Sequence, residues 1–181
     1  MAALPRRDEG WFTSLYAAHY PDIVRYGLRR LGERDASTEL AQEVFVVAWR
    51  RRSQVPDHGL PWLYGVARKL LANEWRARRS RPVPLPAAGP EPPPFDCESD
   101  MVAMVADLGA ALATLSEADQ EILRLVGWEQ LTVAEAAVVL DCSPATAAVR
   151  LHRARRRLAA ALEPARSSSI EPCRIAAKGL V

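Results

Sequence analysis

The chain of 181 residues is 49% hydrophobic and 25% charged and has a formal net charge of +2, so it can form one or two small globular domains. No segment approaches the ~20 uninterrupted apolar residues of a membrane span, and the N-terminus lacks the apolar core of a secretory signal, so we expect a cytoplasmic protein. The scattered cysteines and histidines predict neither a disulfide framework nor a metal site.

The first predicted domain covers residues 10–80 and is a bundle of three or four helices. Apolar periodicity and helix-end signals place these helices at Trp11–Tyr20, Asp22–Leu31, about Ser37–Arg52 and Pro61 to about Arg79. Within this domain four acidic residues form a face that favours a protein partner. They are Glu33, Asp35, Glu39 and Glu43.

The last helix of this domain and the loop before it, SQVPDHG, combine aromatic with basic side chains. Trp62 and Tyr64 lie at the start of the helix, and six basic residues with one acid occur between Arg68 and Arg81. Because bases stack on aromatic rings while cations contact phosphates, this combination favours single-stranded DNA. Tryptophan in a small helical domain is as often a core residue, so the residues alone leave both interpretations open.

Residues 81–100 are predicted to be a linker. The segment RPVPLPAAGPEPPPFD, from Arg81 to Asp96, contains seven prolines, which exclude a helix and favour an extended, partly stiff tether. A proline-rich partner-binding motif is the less favoured alternative, because no aromatic or basic anchors flank the segment.

The second predicted domain covers residues 101–163. It is expected to contain helices at Met101–Leu115 and from Ser116, a cap residue, to Gly127, and then a helix pair at Leu131–Leu158. The tail after this domain, residues 164–181, has little pattern and is predicted to be disordered. No strand alternation occurs, so the sequence predicts an all-α protein.

The helix pair carries end signals for both of its helices. Thr132 and Glu135 match a capping box at the first helix. The apolar pattern breaks at Asp141, after which Ser143 can cap a second helix that has Pro144 at its first position. These signals predict two short helices joined by a tight turn.

The second helix of the pair has two contrasting faces. The face expected to be buried carries Ala147, Leu151, Ala154 and Leu158. The opposite face carries Arg150, Arg153 and Arg157. This layout is typical of a helix-turn-helix that places its second helix in a DNA groove, although arginines on a helix are in many proteins only a solvated face. Two separate basic stretches, 68–81 and 150–166, favour two contacts with a polyanion.

Three stretches together resemble the sigma-70 family of bacterial RNA polymerase sigma factors, in its short extracytoplasmic-function (ECF) group. They are LAQEVFVVAW (Leu40–Trp49), PWLYGVARKLLANE (Pro61–Glu74) and LSEADQEILRLVGWEQLTVAEAAVVLDCSPATAAVRLHRARRRL (Leu115–Leu158). The resemblance implies two small helical domains, a region 2 bundle and a region 4 helix-turn-helix, joined by the proline-rich linker. It also implies an alternative sigma factor that directs core RNA polymerase to specific promoters and assists their opening, without enzymatic activity or a cofactor.

The resemblance further implies three sets of contact residues. The set that docks on the clamp helices of core polymerase comprises Leu40, Gln42, Glu43, Phe45 and Trp49. The set that binds and melts the −10 element, where a base is flipped, comprises Val55, Asp57, His58, Trp62, Tyr64, Arg68, Lys69, Asn73 and Arg76. The set that reads the −35 element comprises Thr132, Ser143, Ala145, Thr146, Arg150, Arg153 and Arg157. Ile122, Leu125 and Trp128 are expected to rest on the polymerase flap.

The implied partners are core RNA polymerase, promoter DNA and an anti-sigma factor, which can hold such a protein at the membrane; no small-molecule substrate is expected. The sequence departs from the family pattern at Lys69, where asparagine is frequent, and at Asp141, where glycine is frequent. Two alternatives fit the residues less well. A stand-alone helix-turn-helix regulator leaves the first two stretches unexplained, and a nuclease would need converging carboxylates or metal ligands.

Overall fold

The computed structural model describes residues 7–79 and 99–168, which are helical with no strand among them. The helices are α1 (Glu9–Leu31), α2 (Arg34–Arg50), α3 (Leu60–Arg79), α4 (Ser99–Ala113), α5 (Glu117–Gly127), α6 (Val133–Leu140) and α7 (Pro144–Ser168). This confirms the predicted all-α fold. Most of the predicted linker and the tail beyond residue 168 lie outside the described residues. Within the described part of the chain, no helix is long and apolar enough to cross a membrane.

Helix α1 is one continuous helix, so the predicted division into two helices around Pro21 is wrong. Proline inside a helix removes one hydrogen bond and is costly. Packing outweighs this cost, because Leu15 and Ile23 on either side of the proline are both buried in the core. The helix ends at Gly32, which adopts the left-handed conformation (φ 73°) and donates its N–H to the Leu28 carbonyl at 2.9 Å.

Helices α1, α2 and α3 form an N-terminal unit, residues 7–79. Its core contains Ile23, Val44, Phe45 and Leu63, all from faces that the apolar periodicity brings together. Helices α1 and α2 approach closely at Gly27, where an added Cβ would lie 2.9 Å from the Cβ of Ser37. A short 3₁₀ helix after α2 begins the loop that leads to α3.

Helices α4 to α7 form a C-terminal unit, residues 99–168. Its core contains Ile122, Leu125, Ala147 and Ala154. Helix α7 continues to Ser168, beyond residue 163, where the sequence places the end of the second domain.

The two units pack against each other through α3 and α6, and the buried apolar residues of both units form one continuous cluster. Val139 of α6 is buried at this contact, where its backbone faces Gly65 of α3. The sequence did not predict this contact. It places the basic helix of the N-terminal unit beside the first helix of the helix-turn-helix.

Candidate nucleic-acid and polymerase interfaces

The helix pair is a helix-turn-helix with the predicted caps. Glu135 accepts the N–H of Thr132 at 2.8 Å, and the Thr132 hydroxyl accepts the N–H of Glu135 at 3.3 Å, which completes the capping box. In the turn, Asp141 adopts the left-handed conformation (φ 55°, ψ 49°). The Ser143 hydroxyl then accepts the N–H of Thr146 at 3.2 Å at the start of α7. Each of these local predictions is confirmed.

Helix α7 presents a buried and an outward face, as its sequence indicated. Leu151 and Ala154 lie in the core. The residues that point outward and are exposed include Ser143, Ala145, Thr146 and Arg153, whereas Arg150 is half-buried. Val149 is 51% exposed on the same side, so this surface joins hydroxyl, methyl and guanidinium groups. Such a surface can contact both phosphates and thymine methyls in a major groove.

Arg157 differs from the other two arginines of this face. Its guanidinium forms a short ion pair with the carboxylate of Asp119, which is buried at the start of α5. A charge-assisted hydrogen bond to a buried carboxylate holds α7 against α5. The structure therefore gives Arg157 a role inside the C-terminal unit, while 61% of its side chain is exposed.

Two members of the predicted −10 set are core residues. Val55 and Tyr64 are almost completely buried, so neither can stack on a base. The Tyr64 ring packs 5.1 Å from the ring of Tyr26, and burial, followed by the charge of Glu129, raises the pKa of the Tyr64 phenol. Their assignment to the melting surface is wrong because the loop folds Val55 inward and α3 faces the bundle at Tyr64.

The other predicted −10 residues remain accessible. Trp62 is half-buried against the core, while Asp57 and His58 are exposed in the loop before α3. Further along α3, a cleft of about 1030 Å³ has Arg68, Lys69, Asn73 and Arg76 on one wall. Its other wall is α5, which contributes Glu121 and Arg124. The cations predicted to bind DNA thus face the C-terminal unit.

The predicted polymerase-docking set divides in the same way. Leu40 and Phe45 both lie in the core of the N-terminal unit, so Leu40 cannot be a surface contact. Phe45 has only 2% of its surface exposed, but it lines a groove between α1 and α2. Gln42 and Glu43 are exposed on α2. Trp49 is half-buried, with its ring 5.2 Å from that of Phe12.

Beside Gln42 the structure contains an apolar groove between α1 and α2 that the sequence did not indicate. Phe12, Tyr16, Val46 and Trp49 line it, and Val46 is 49% exposed. The run VFVV contained a signal for this groove. Consecutive helix residues point in different directions, so Val46 cannot share the buried face of Phe45. An exposed apolar groove with a polar rim is typical of a protein-docking surface.

The predicted flap contacts also change. Ile122 and Leu125 are fully buried in the C-terminal unit, which excludes them as surface contacts. Trp128, directly after α5, is 43% exposed and remains available. Ile122 and Leu125 were assigned to the surface for the same reason as Leu40 in α2. An amphipathic helix buries its apolar face, and these apolar residues belong to that face.

Acidic side chains of the C-terminal unit pair with cations of α1 in a buried ion-pair cluster. Arg30 donates to both oxygens of Glu121 at 3.1 Å and to Glu129 at 3.0 Å, and Arg29 also donates to Glu129. The hydroxyl of Tyr26 donates to Glu121 at 3.0 Å. Burial, followed by the charge of Glu121, raises the pKa of the Tyr26 phenol. Sequence analysis missed this cluster completely.

Comparison with known proteins gives consistent matches to both units. Residues 15–81 match the family described as Sigma-70 region 2, and residues 106–158 match the family described as Sigma-70, region 4. The chain is 28% identical over 156 residues to the ECF RNA polymerase sigma factor SigL of Mycobacterium tuberculosis, covering 83% of this chain and 88% of that protein. It is 30% identical over 149 residues to the ECF RNA polymerase sigma factor EcfG of Rhodopseudomonas palustris, covering 80% and 81%.

Two solved structures share the fold. One is the sigma factor RpoE in complex with the anti-sigma factor NepR from Bartonella quintana, with a TM-score of 0.63 and 21% identity over 84% of this chain and 96% of that chain. The other is CnrH in complex with the cytosolic domain of CnrY, with a TM-score of 0.60 and 22% identity over 87% and 90%.

Proposed function

This chain belongs to the ECF group of the sigma-70 family of RNA polymerase sigma factors, and we propose that its two units divide promoter recognition between them. As a sigma factor it directs RNA polymerase to promoters in transcription initiation. In the proposed division, the N-terminal unit docks on core polymerase and melts the −10 element, while α7 of the C-terminal unit reads the −35 element. Because both units belong to one chain, the second DNA contact is effectively intramolecular.

The −35 assignment depends on one observation. The helix-turn-helix has a cap at the start of each helix, and α7 exposes polar and basic side chains on its outward face. Ser143 and Thr146 can donate to base edges or phosphates, and Arg153 can bind a phosphate or a guanine. Ala145 and Val149 offer apolar contact to thymine methyl groups. Thr132 is exposed at the N-terminus of α6, where a phosphate would be favoured by the helix dipole.

For the −10 element, we propose that strand capture uses the accessible members of the predicted set. Trp62 offers a partly exposed ring at the start of α3, beside the loop that carries His58. Extracting a base from the duplex costs a few kcal/mol, and stacking on an aromatic ring recovers about 1–3 kcal/mol. Arg68, Lys69 and Arg76 extend along α3 in the direction that the displaced strand would follow.

Docking on core polymerase is proposed for the groove between α1 and α2. A helix of the clamp would place apolar side chains against Phe12 and Val46, with Gln42 and Glu43 as polar contacts at the rim. Trp128 is the proposed contact for the flap. The same partner would thus hold both units in the holoenzyme.

We also propose that the chain acts as a subunit without catalytic activity of its own, located in the cytoplasm and controlled by an anti-sigma factor. The partners of the two solved relatives support the last point, since both were determined with a second protein, named in one case as an anti-sigma factor. Among the described residues, no cluster of three or more histidine, cysteine or acidic side chains is placed to hold a metal ion.

Two matched variants test this division of labour. Val46 and Val149 are equally exposed valines, at 49% and 51%, on the proposed polymerase and DNA surfaces respectively. Val46→Asp should reduce co-elution with core polymerase and leave binding to −35 duplex DNA unchanged. Val149→Asp should show the opposite pattern. If Val46→Asp co-elutes with core polymerase like the natural chain, the docking assignment is wrong.

A further inference from the structure

We propose that Arg7 is a positioning residue of the −10 surface, which fixes the loop at residues 52–59 in the shape that receives an extracted base. This role rests on the proposed function of that loop and of α3 in strand capture. Arg7 lies before residues 15–81, the range that matches Sigma-70 region 2, so the family match assigns it no role.

The loop is anchored on its inner side by two buried residues. Val55 is 1% exposed, and a Cβ added to Gly59 would lie 3.1 Å from the Cδ1 of Leu15 in α1. The three residues between these anchors are exposed, and they are Pro56, Asp57 and His58. Apolar packing therefore fixes both ends of this exposed tripeptide, while its outer side depends on polar contacts.

Arg7 bridges the outer side of the loop with a single guanidinium group. Its Nη1 donates to the backbone carbonyl of Arg52 at 2.8 Å, and its Nη2 donates to the carboxylate of Asp57 at 3.2 Å. One acceptor lies at the beginning of the loop and the other lies near its end. Because the guanidinium is planar and rigid, it fixes the distance between the two acceptors.

The guanidinium of Arg7 is itself held in place. The Arg7 side chain is only 18% exposed, and its guanidinium carbon lies 5.2 Å from the centre of the Trp11 ring. The side chain of Asp57 is 93% exposed, and an ion pair at such a position contributes little to overall stability. The bridge therefore constrains the shape of the loop much more than it stabilises the fold.

Both ends of the bridge are fixed by the neighbouring helices. Asp8 caps α1 by accepting the N–H of Trp11 at 3.1 Å, which fixes the backbone directly after Arg7. At the other end, the guanidinium of Arg52 lies 4.7 Å from the centre of the Trp49 ring and donates to the Trp49 carbonyl at 3.2 Å. Arg7 therefore connects the beginning of α1 and the end of α2 to the loop that leads to α3.

A fixed loop favours capture of a base because less conformational entropy is lost on binding. Without Arg7 the loop samples more conformations, and the apparent affinity for the −10 strand falls with the fraction that has the binding shape. Docking on core polymerase and binding to −35 duplex DNA use other surfaces and should not change.

Hydrogen exchange of the full chain tests whether Arg7 holds the loop. The N–H of Gln54 donates to the Arg51 carbonyl at 2.8 Å, so the loop contains a hydrogen-bonded amide that can report its opening. In Arg7→Ala the peptide covering residues 52–59 should exchange faster, while peptides from α2 and α7 should exchange as in the natural chain. Circular dichroism should show unchanged helix content.

Arg25→Ala is the matched control for the lost charge. Arg25 belongs to the same helix unit but pairs with Asp22 of α1 and not with the loop. This variant should leave exchange of residues 52–59 unchanged. If Arg7→Ala and Arg25→Ala show the same exchange in the loop, Arg7 does not position it and the proposal is overturned.

Recognition of the −10 strand tests the functional consequence in the holoenzyme. The probes are two fluorescein-labelled single-stranded oligonucleotides, one carrying the −10 element of a start site mapped by run-off transcription and the other carrying a scrambled element. Arg7→Ala should lower the ratio of the two affinities roughly fivefold, because only the correctly shaped loop discriminates. Arg25→Ala should keep the ratio, and Arg7→Lys, which retains the charge but not the paired donors, should recover part of it.

The salt dependence of binding distinguishes positioning from direct contact. If Arg7 acts through the loop, Arg7→Ala should have the same slope of log affinity against log salt as the natural chain. A slope reduced by roughly 0.7, the value for one phosphate contact on a single strand, would show that Arg7 binds DNA itself and would overturn the positioning role. Loss of co-elution of Arg7→Ala with core polymerase would instead assign Arg7 to docking and would equally overturn it.

Trp62→Ala separates failure of this proposal from failure of the proposed function. If Trp62→Ala lowers the affinity ratio and Arg7→Ala does not, strand capture by α3 stands and the role of Arg7 is refuted. If neither variant lowers the ratio, the loop and α3 do not form the −10 surface, and both proposals fail.

Discussion

In the C-terminal unit the side chains predicted to contact DNA mostly lie on the outside of α7, whereas in the N-terminal unit several predicted contact residues lie inside the bundle. Ser143 and Arg153 are exposed, but Phe45 and Tyr64 are buried. The difference arises because arginine and serine are rarely buried without a partner, while an aromatic residue can serve a core or a contact surface equally well. The burial of an aromatic residue must therefore be known before the residue is assigned to a contact surface.

The largest expected effect is on stability, and it distinguishes a core residue of α2 from an exposed residue of the same helix. Phe45→Ala should lower the free energy of unfolding by about 3–5 kcal/mol, because it leaves a cavity in the N-terminal unit. Glu43→Ala, at an exposed neighbouring position, should change stability by about 0.5 kcal/mol or less and act instead on polymerase affinity. Urea unfolding and co-elution with core polymerase measure the two effects. Equal stability of the two variants would contradict the burial of Phe45.

The next effect concerns the one aromatic residue of the −10 set that keeps a partly exposed ring. Trp62→Ala should preserve binding to core polymerase but reduce open-complex yield, through the loss of a stacking contact of about 1–3 kcal/mol. Permanganate reactivity of unpaired thymines at a promoter would report the yield. Unchanged opening would mean that Trp62 is another core residue and would weaken the proposed melting surface.

A smaller effect, on the salt dependence of DNA binding, should distinguish Arg153 from Arg157. Sequence analysis predicted the same role for both. Arg153→Ala should weaken −35 duplex binding and reduce the slope of log affinity against log salt by roughly 0.9, the value for one phosphate contact. Arg157→Ala should leave that slope almost unchanged and lower the stability of the C-terminal unit, because Arg157 pairs with Asp119. Identical salt slopes for the two variants would show that this distinction is wrong.

The smallest effect is a pH dependence at the capping box. Hydrogen bonds from Thr132, with a further one from His58, lower the pKa of Glu135, so the folded state favours its carboxylate. The resulting stabilisation is present above the unfolded pKa of about 4.3 and is lost as pH falls through the lower folded pKa. Glutamine can still close the capping box, so Glu135→Gln should lower the free energy of unfolding at neutral pH by only roughly 0.3–1 kcal/mol, through loss of the charge at the helix N-terminus. It should also flatten the dependence of stability on pH in this acidic range. If the stability of Glu135→Gln depends on pH in the same way as that of the natural chain, the lowered pKa of Glu135 is contradicted.

Much of the fold could be predicted because its determinants are local. The capping box at Thr132, the caps at Ser116 and Ser143, and the left-handed turn at Asp141 depend on groups within about three residues of one another, and all are confirmed. Continuity of α1 through Pro21 could not be predicted, since it depends on packing against α2. Local propensity argues for a break at proline, and tertiary contacts override it.

The contact between the two units could not be predicted for a related reason. Arg30 and Glu129 are far apart in sequence, and nothing near either residue indicates that it is buried. They pair only because α3 and α6 pack together and bring the two units into contact. The groove around Val46 was missed because its lining comes from two helices. Helix caps and turns, which depend on neighbouring residues, could be predicted, whereas the groove and the contact between the units, which require two helices, could not.

The most direct test of the central claim is run-off transcription with purified core RNA polymerase and fragmented DNA from the source genome. A sigma factor with this division of labour should produce start sites that appear only when the protein is added, preceded by shared −10 and −35 elements. Val46→Asp should abolish these transcripts because docking is lost. Transcription that is unchanged by the protein, together with no co-elution with core polymerase, would contradict the account.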